Sequence, residues 1–248
     1  VDDDSGYETL ISDNFNDGNV TGWSNTGSAW TASTSSPLDG THSAKHDAQV
    51  TSGQTSLSYP TDEASLSGLN TTWRFEVGFA NDASANNNFQ VFLSASDSNL
   101  YAAGINGYAV VVDQSSLPSA GTADYIRLYR VDNGVYAATP IVGSTTDWID
   151  NVNGGTRVGF QVTLSDAGTW TLSVDANGGF DALSSLGSGT DLTGGALTYA
   201  DLKYFGIRFK YLTTPSGFMR FDNVSLQQSG CRRLWYSQGT GNSNTAIW

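Results

Sequence analysis

Several separate runs of this chain alternate strictly between apolar and polar residues, which is the side-chain period of a β-strand with one buried face. The clearest runs are 72–79, 158–164 and 204–211. In the last run one side is formed by Phe205, Ile207, Phe209 and Tyr211, and the other by Tyr204, Gly206, Arg208 and Lys210. No window of useful length has helical periodicity, so the pattern predicts strands throughout.

Turn sequences between the runs predict how the strands are connected. Asp166-Ala167-Gly168 joins two runs of residues 157–175 as a hairpin, and residues 213–217 join 204–211 to 218–226 as a closing hairpin. The Gly-rich segment 176–203 is predicted to be a long excursion at the rim of a binding groove. About a dozen strands at irregular spacing predict an all-β, two-sheet antiparallel jelly-roll sandwich.

Charge excludes some classes of partner. The formal net charge is −13 and the isoelectric point is about 4.2, which disfavours nucleic acid and anionic membranes because both would be repelled. No run approaches the roughly 18 apolar residues needed for membrane insertion. The acidity suits a secreted protein in a calcium-containing medium, and solubility alone explains it equally well. The single Cys231 excludes an internal disulfide and carries little information about the compartment.

The character of the sequence changes near both ends. Residues 1–9 are acidic and polar, which predicts a disordered lead-in, and residues 10–228 are predicted to form the sandwich. Residues 229–248 carry an Arg pair and no regular alternation, which predicts a linker and the truncated start of a following module. A C-terminal strand packed on the sandwich is the alternative. The chain is therefore expected to be part of a larger multidomain protein.

Asp222 is the residue of the closing hairpin that most needs an explanation. It lies between Phe221 and Val224 in an otherwise hydrophobic strand. A carboxylate in that position is unfavourable unless a cation or hydrogen-bond donors meet it.

Three stretches together resemble a known module. They are DNFNDGNVTGW at 13–23, TTWRFEVGFANDASANNNFQVFLSAS at 71–96 and YFGIRFKYLTTPSGFMRFDNVSL at 204–226. They are similar to an adhesin-type module of large secreted Bacteroidota surface proteins, in the concanavalin A-like lectin/glucanase superfamily. The resemblance covers residues 10–228 and implies a jelly roll of two curved sheets and an extracellular or cell-surface location.

The two ends also resemble the laminarinase-type β-glucanases of the same superfamily, which implies a structural calcium ion. Asp222 matches the carboxylate ligand, and backbone oxygens near Asn16 and Gly40 match the carbonyl ligands. One carboxylate with carbonyls and water is chemically adequate for Ca²⁺. The alternative is that Asp222 accepts hydrogen bonds from backbone amides of the N-terminal strand without a metal.

Catalytic motifs of the superfamily are not found. Glycoside hydrolysis normally needs two carboxylates beside the scissile bond, and the β-glucanases supply them from an E-x-D-x-(x)-E run. None of the three glutamates, Glu8, Glu63 and Glu76, lies in such a run. The His and Tyr motifs of the alginate lyases and the G-x-S-x-G elbow are missing as well. Catalysis is therefore not expected.

The polar sides of the strands provide the candidate ligand residues. If they share the concave sheet, they form a groove for a hydroxyl-rich or anionic ligand, with loop aromatics stacking on sugar rings. The predicted strand residues are Arg74, Glu76, Gln90, Arg127 and Arg208, and the predicted aromatics are Tyr101, Tyr108 and Trp148. A solvated outer face is the alternative interpretation of the same pattern.

Three functions remain open from the sequence. The first is a non-catalytic carbohydrate-binding or adhesive module whose partner is a polysaccharide or glycan. The second is a structural spacer or interaction domain without a ligand. The third is a divergent polysaccharide hydrolase or lyase.

Overall fold

A computed structural model describes residues 6–46, 51–61, 64–112, 124–201, 203–213 and 218–229. Within these ranges the chain forms seventeen strands and two single-turn 3₁₀ helices, at Thr26–Ser28 and Asn153–Gly155. In chain order the strands are β1 (Tyr7–Asp13), β2 (Ser24–Asn25), β3 (Trp30–Ser33), β4 (Ser43–His46), β5 (Gly53–Pro60), β6 (Thr71–Gly78), β7 (Asn88–Ala95), β8 (Gly107–Val112), β9 (Ile126–Asp132), β10 (Val135–Tyr136), β11 (Val158–Leu164), β12 (Thr169–Asp175), β13 (Ser184–Thr190), β14 (Leu192–Thr193), β15 (Ala196–Leu197), β16 (Tyr204–Tyr211) and β17 (Met219–Ser229).

The strands form two large antiparallel sheets. The first sheet has the order β13-β12-β11-β6-β17-β4-β3, and β1 pairs with the part of β17 that β4 leaves free. The second sheet has the order β10-β9-β8-β7-β16-β5-β2, and β14 and β15 form a separate short hairpin. This confirms the all-β, two-sheet sandwich that the alternating runs predict.

The main core lies between the two sheets and is rich in aromatic rings. Trp73 and Trp170 stack at 5.6 Å between ring centroids, and Phe75 stacks on Phe160 at 5.1 Å. All four side chains are fully buried. These residues belong to β6, β11 and β12. The apolar residues of the three alternating strands therefore face the core, as the sequence pattern predicts.

The predicted closing hairpin is wrong, although both of its strands exist. β16 pairs with β5 and β7 in the second sheet, whereas β17 pairs with β1, β4 and β6 in the first. The chain therefore crosses from one sheet to the other, and residues 214–217 of this connection lie outside the described ranges. β16 and β17 each turn one apolar face toward the same core, from opposite sheets. Their sequences therefore alternate in the same way as the two strands of a hairpin.

Two further segments differ from their predicted structure. Segment 176–203 carries the strands β13 to β15 rather than a continuous loop, and β13 extends the first sheet beside β12. β1 begins at Tyr7, inside the predicted lead-in 1–9, and pairs along β17 to Ser229. The remainder of the predicted linker, residues 230–248, lies outside the described ranges.

Among the described residues, no helix is long and apolar enough to cross a membrane.

Candidate functional site

A row of side chains crosses the outer face of the second sheet, the face turned away from the core. Strand register places Ser56 of β5 beside Arg208 of β16, and Arg208 beside Gln90 of β7. Val111 of β8 and Arg127 of β9 continue the row. We call these five residues the polar row. Three of the predicted ligand residues, Gln90, Arg127 and Arg208, are therefore brought to one face.

A connecting segment covers much of the polar row. Residues 96–106 fold back over the outer face, where Leu100 and Ile105 form a second small core with Phe92 and Tyr129. Ser58 Oγ donates to Ser98 O at 2.7 Å and fixes the segment to β5. The polar row is consequently buried, and this part of the face is a second apolar layer rather than the open groove that the alternation predicts.

Arg208 is the centre of the covered part. Its guanidinium lies 5.0 Å from the ring centroids of both Phe92 and Tyr101. It donates to Gln90 Oε1 and, at 2.9 Å, to Leu100 O. Tyr101 thus stacks on an arginine of its own chain, with the cation over the ring face.

The outer face opens at the end of β16. A cavity of about 480 Å³ is lined there by residues of β5, β16, the segment after β16 and the loop between β6 and β7. We call it the end pocket, and its side chains are Gln54, Asn86, Lys210, Tyr211 and Leu212. Gln54 pairs with Lys210 across the two strands, so these two side chains continue the face of the polar row. Tyr211 is on the core side of β16 and lines the end pocket where the strand ends.

The aromatic ring of the end pocket is held in place. Tyr211 lies 4.4 Å from the buried ring of His46, measured between centroids, and 5.5 Å from Phe209. A methyl group added at Gly53 would lie 2.6 Å from the Tyr211 hydroxyl oxygen. Glycine at position 53 therefore lets the tyrosine lie against β5, and the half-buried ring is fixed before any ligand arrives.

A hydrogen-bond chain joins the polar row to the end pocket. Gln90 accepts from Arg208 and donates from Nε2 to Asn88 Oδ1 at 2.8 Å. Asn88 Nδ2 donates to Ser84 O at 2.7 Å, in the loop that carries Asn86. Lys210 Nζ donates to Ala85 O of the same loop at 2.6 Å. These bonds hold the pocket loop against β16.

Arg74 and Glu76 lie on the other sheet. Both are on the outer face of β6 in the first sheet, so the predicted groove that would combine them with Gln90, Arg127 and Arg208 does not exist. Arg74 is exposed and donates to Gln161 at 2.8 Å. Glu76 is fully buried and accepts from Arg157 Nη2 at 2.8 Å and from the backbone of Gly179.

Tyr108 and Trp148 belong to the core rather than to a sugar-stacking surface. Trp148 is fully buried against Phe89 and donates from Nε1 to Phe79 O at 2.7 Å. Tyr108 is a strand residue packed 4.7 Å from Trp170, and its hydroxyl donates to Asp191 at 2.9 Å. Periodicity does not separate these roles, because large aromatics occur both in cores and at binding sites.

Asp222 points to the outer face of the first sheet, next to the inward Phe221, and a bulge follows it in β17. Asn223 has a φ of +47° and the register with β6 shifts beyond Asp222, which lets Phe221 and Val224 both reach the core. Asp222 stands opposite Glu76. Burial, reinforced by the Glu76 charge, raises the pKa of Asp222 to about 6, although hydrogen bonds to its carboxylate oppose this.

The residues of the predicted calcium site converge at one corner of the sandwich. Asp222 Oδ2 accepts from Ser43 Oγ at 2.7 Å and from Asp39 N at 3.2 Å. Asn16 Oδ1 accepts from Thr41 N, next to Gly40. Within the described residues no group of three or more His, Cys, Asp or Glu side chains could hold a metal, so an ion here would depend on carbonyl oxygens.

A second pair of carboxyl groups lies between loops. Burial raises the pKa of Asp124 to about 6, and a hydrogen bond with the Asp147 side chain adds to the effect. Asp124 Oδ2 also accepts from Ala83 N at 2.8 Å, and Asp147 Oδ1 accepts from Ile149 N at 3.1 Å. These contacts make the pair a loop connector. Asp124 is buried and Asp147 half-buried, whereas Glu76 and Asp222 are both fully buried.

No protein-family model and no curated protein sequence matches the chain. Solved structures do match. The exoplasmic/lumenal domain of VIP36, in a form bound to Ca²⁺ and Man2, superposes with a TM-score of 0.55 at 12% identity, covering 89% of this chain and 86% of that chain. The carbohydrate recognition domain of Emp47p gives 0.53 at 14%, covering 92% and 99%.

The fold is that of the concanavalin A-like lectins. Lectin I-B4 from Griffonia simplicifolia, in its metal-free form, also matches, with a TM-score of 0.51 at 14% identity over 88% of this chain and 98% of that chain. A carbohydrate esterase of the Shiga toxin-encoding bacteriophage phi24B shares the architecture, at 0.54 and 14% over 90% and 99%. At these identities the likeness establishes the architecture alone.

Sequence reasoning missed most of the end pocket. β5 was not predicted, although Thr55, Leu57 and Tyr59 alternate with small polar residues, and Gln54 was missed with it. Lys210 and Tyr211 were placed on a strand without a role. The sequence feature that could have indicated a binding site is the adjacent pair Lys210 and Tyr211, a cation and an aromatic ring at the end of a strand.

Proposed function

We propose that this chain is a carbohydrate-binding module, with the end pocket as its sugar site. The observation that carries the proposal is the lining of the pocket: a fixed tyrosine ring beside two primary amides and an ammonium group. Aromatic faces pack on the apolar faces of sugar rings, and amides bond their hydroxyl groups in either direction. Lectin-like structural neighbours bound to sugars support the same interpretation.

The module is proposed to be non-catalytic and extracellular, within a larger chain. Support for the first point is that no acid-pair run of the β-glucanase type is present and that Glu76, Asp124 and Asp222 are buried inside the fold. Support for the second is the acidic surface and the resemblance to secreted Bacteroidota adhesin modules. A larger parent protein is expected from that resemblance as well.

A structural calcium ion is proposed at the corner between the chain ends. Asp222 would supply the carboxylate, and carbonyl oxygens near Asn16 and Gly40 the remaining protein ligands. Calcium there would offset the unfavourable burial of the Asp222 charge beside Glu76. Structural neighbours include calcium-bound lectin domains.

A glycan array at millimolar calcium, followed by calorimetry on the hits, tests sugar binding. Tyr211→Ala is expected to weaken binding of any hit about tenfold, because loss of ring contact corresponds to roughly 1.4 kcal/mol. Tyr7→Ala is the matched control, since Tyr7 is an exposed tyrosine on the other sheet. No binding across the array, or equal weakening by both variants, would disprove the assignment.

Thermal unfolding with and without a chelator tests the calcium proposal. Calcium at about a hundred times its dissociation constant should stabilise the wild type by about 2.7 kcal/mol. The same addition should leave Asp222→Asn unchanged, because the variant lacks the charged ligand. Equal shifts in the two proteins would mean that Asp222 binds no ion.

A further inference from the structure

The cations of this acidic chain are distributed unevenly between two kinds of environment. Arg130 contacts the carboxylates of Asp132 and Asp191, and Arg157 contacts those of Glu76 and Asp39. Arg208 and Lys210, in contrast, contact no carboxylate in the part of the chain that the structure describes. Although the protein has a net charge of −13, these two cations therefore have no carboxylate partner among the described residues.

Both cations lie on the outer face of β16, two residues apart, which places their Cα atoms about 7 Å from each other. Arg208 is only 9% exposed and carries a guanidinium cation. Because the surroundings of this buried guanidinium have a low dielectric constant, its attraction for an anion in the nearby end pocket is weakened less than it would be in water. The strand positions of this face in the described residues carry no Asp or Glu.

Lys210 is the cation that reaches the pocket itself. Its ammonium group has three donors, and one is used by Ala85 O. The other two donors have no partner within the described ranges, so they can meet a ligand. An anionic group bound there would give Lys210 a carboxylate partner, which it lacks among the described residues, whereas a neutral sugar would not.

We infer that the end pocket binds an acidic saccharide, with a sugar carboxylate at Lys210 and the sugar ring against Tyr211. This inference rests on the proposed carbohydrate-binding function and specifies its substrate class. Arg208 acts behind Lys210 as a fixed positive charge, held by Gln90 and the two aromatic rings. Gln54 and Asn86 contact hydroxyl groups of the same sugar.

Calorimetry with short oligogalacturonates and with the same oligomers after carboxyl reduction to galactose tests the inference, at fixed calcium concentration. The acidic oligomers are expected to bind at least about tenfold more tightly than the reduced ones, since a hydrogen bond to a charged partner is worth roughly 1.5–3 kcal/mol. Lys210→Gln should remove this preference, so that the variant binds the acidic and the reduced oligomers with equal affinity. Lys203→Gln is the control, because Lys203 precedes β16 at the opposite end of the strand.

The outcomes separate the inference from the proposed function. Equal binding of both oligomers, or a Lys210→Gln variant that retains the preference, would overturn the acidic-sugar inference and leave carbohydrate binding intact. Binding of the neutral oligomers alone would do the same. Failure of every oligomer and every array glycan to bind would overturn both. Unchanged melting temperatures of the variants show that any loss is not caused by misfolding.

Discussion

The Asp222 carboxyl is fully buried, and its surroundings imply a pH dependence that can be measured. Burial raises its pKa from 3.8 to about 6 in the folded protein. Between these two values the folded state holds a proton that the unfolded state has released, so stability falls as the pH rises through this range. The shift corresponds to roughly 3 kcal/mol.

We expect the wild type to gain this stability relative to Asp222→Asn when the pH is lowered from 7 to 4 in calcium-free buffer. Urea unfolding of both proteins at several pH values measures the difference. The pKa of Asp124 is also raised, but its contribution to the pH dependence is the same in both proteins and cancels in the difference between them. A difference that stays constant with pH would contradict the raised pKa.

Calcium should reverse the sign of this dependence. A bound cation favours the charged carboxylate, so calcium would lower the pKa of Asp222 and make acid destabilising at this position. The same urea series with saturating calcium therefore distinguishes an ion at the corner from a hydrogen-bonded carboxyl alone. An identical pH slope in the two buffers would argue against the ion.

At the level of single elements, β6 shows how a strand places a charge on a buried outer face. Glu76 accepts a hydrogen bond from the backbone of Gly179, and Arg157 neutralises it with two nitrogen atoms at 2.8–3.2 Å from its carboxylate. We expect Arg157→Ala to lower the free energy of unfolding by about 3 kcal/mol, because it leaves Glu76 and Asp222 buried without a cation.

Arg74→Ala is the control for this variant. Arg74 lies on the same strand and the same face as Glu76, yet it is exposed, and among the described residues it donates to the neutral side chain of Gln161 and to no carboxylate. Its loss should change stability by less than about 1 kcal/mol. Similar losses in the two variants, measured by urea unfolding, would mean that the Glu76–Arg157 pair stabilises no more than a surface contact.

The strands also show how much of the fold can be predicted from the sequence. Alternation correctly predicted the inward side of β16, from Phe205 to Phe209, and it placed Arg208 and Lys210 outward. It could not show that β16 and β17 lie in different sheets, because a period of two describes a strand's faces and not its partners. The end pocket could not be predicted for a related reason. It depends on the pairing of Gln54 with Lys210 across two strands and on the loop between β6 and β7 that carries Asn86.

For the whole molecule, the decisive contact is the one that joins the two ends of the sandwich. β1 and β17 are the first and last strands of the described residues, and they pair from Tyr7 with Ser229 to Asp13 with Val224. β17 in turn lies beside β6, near the centre of the first sheet. Such long-range pairing is expected to make folding slow, because a long loop must close before the contact forms.

This arrangement predicts that damage in β1 destabilises the entire sandwich. Ile11 is 4% exposed in the core and stands opposite Leu226. Ile11→Ala should lower the free energy of unfolding by about 3 kcal/mol, as expected for a buried cavity. Thr9→Ala, at an exposed position of the same strand, should lower it by less than about 0.5 kcal/mol.

Tryptophan fluorescence reports on the core and circular dichroism on the sheets, and both signals should change together in one unfolding transition. An early partial transition with an unchanged main midpoint would show instead that β1 detaches independently and that the chain ends do not act as a clasp.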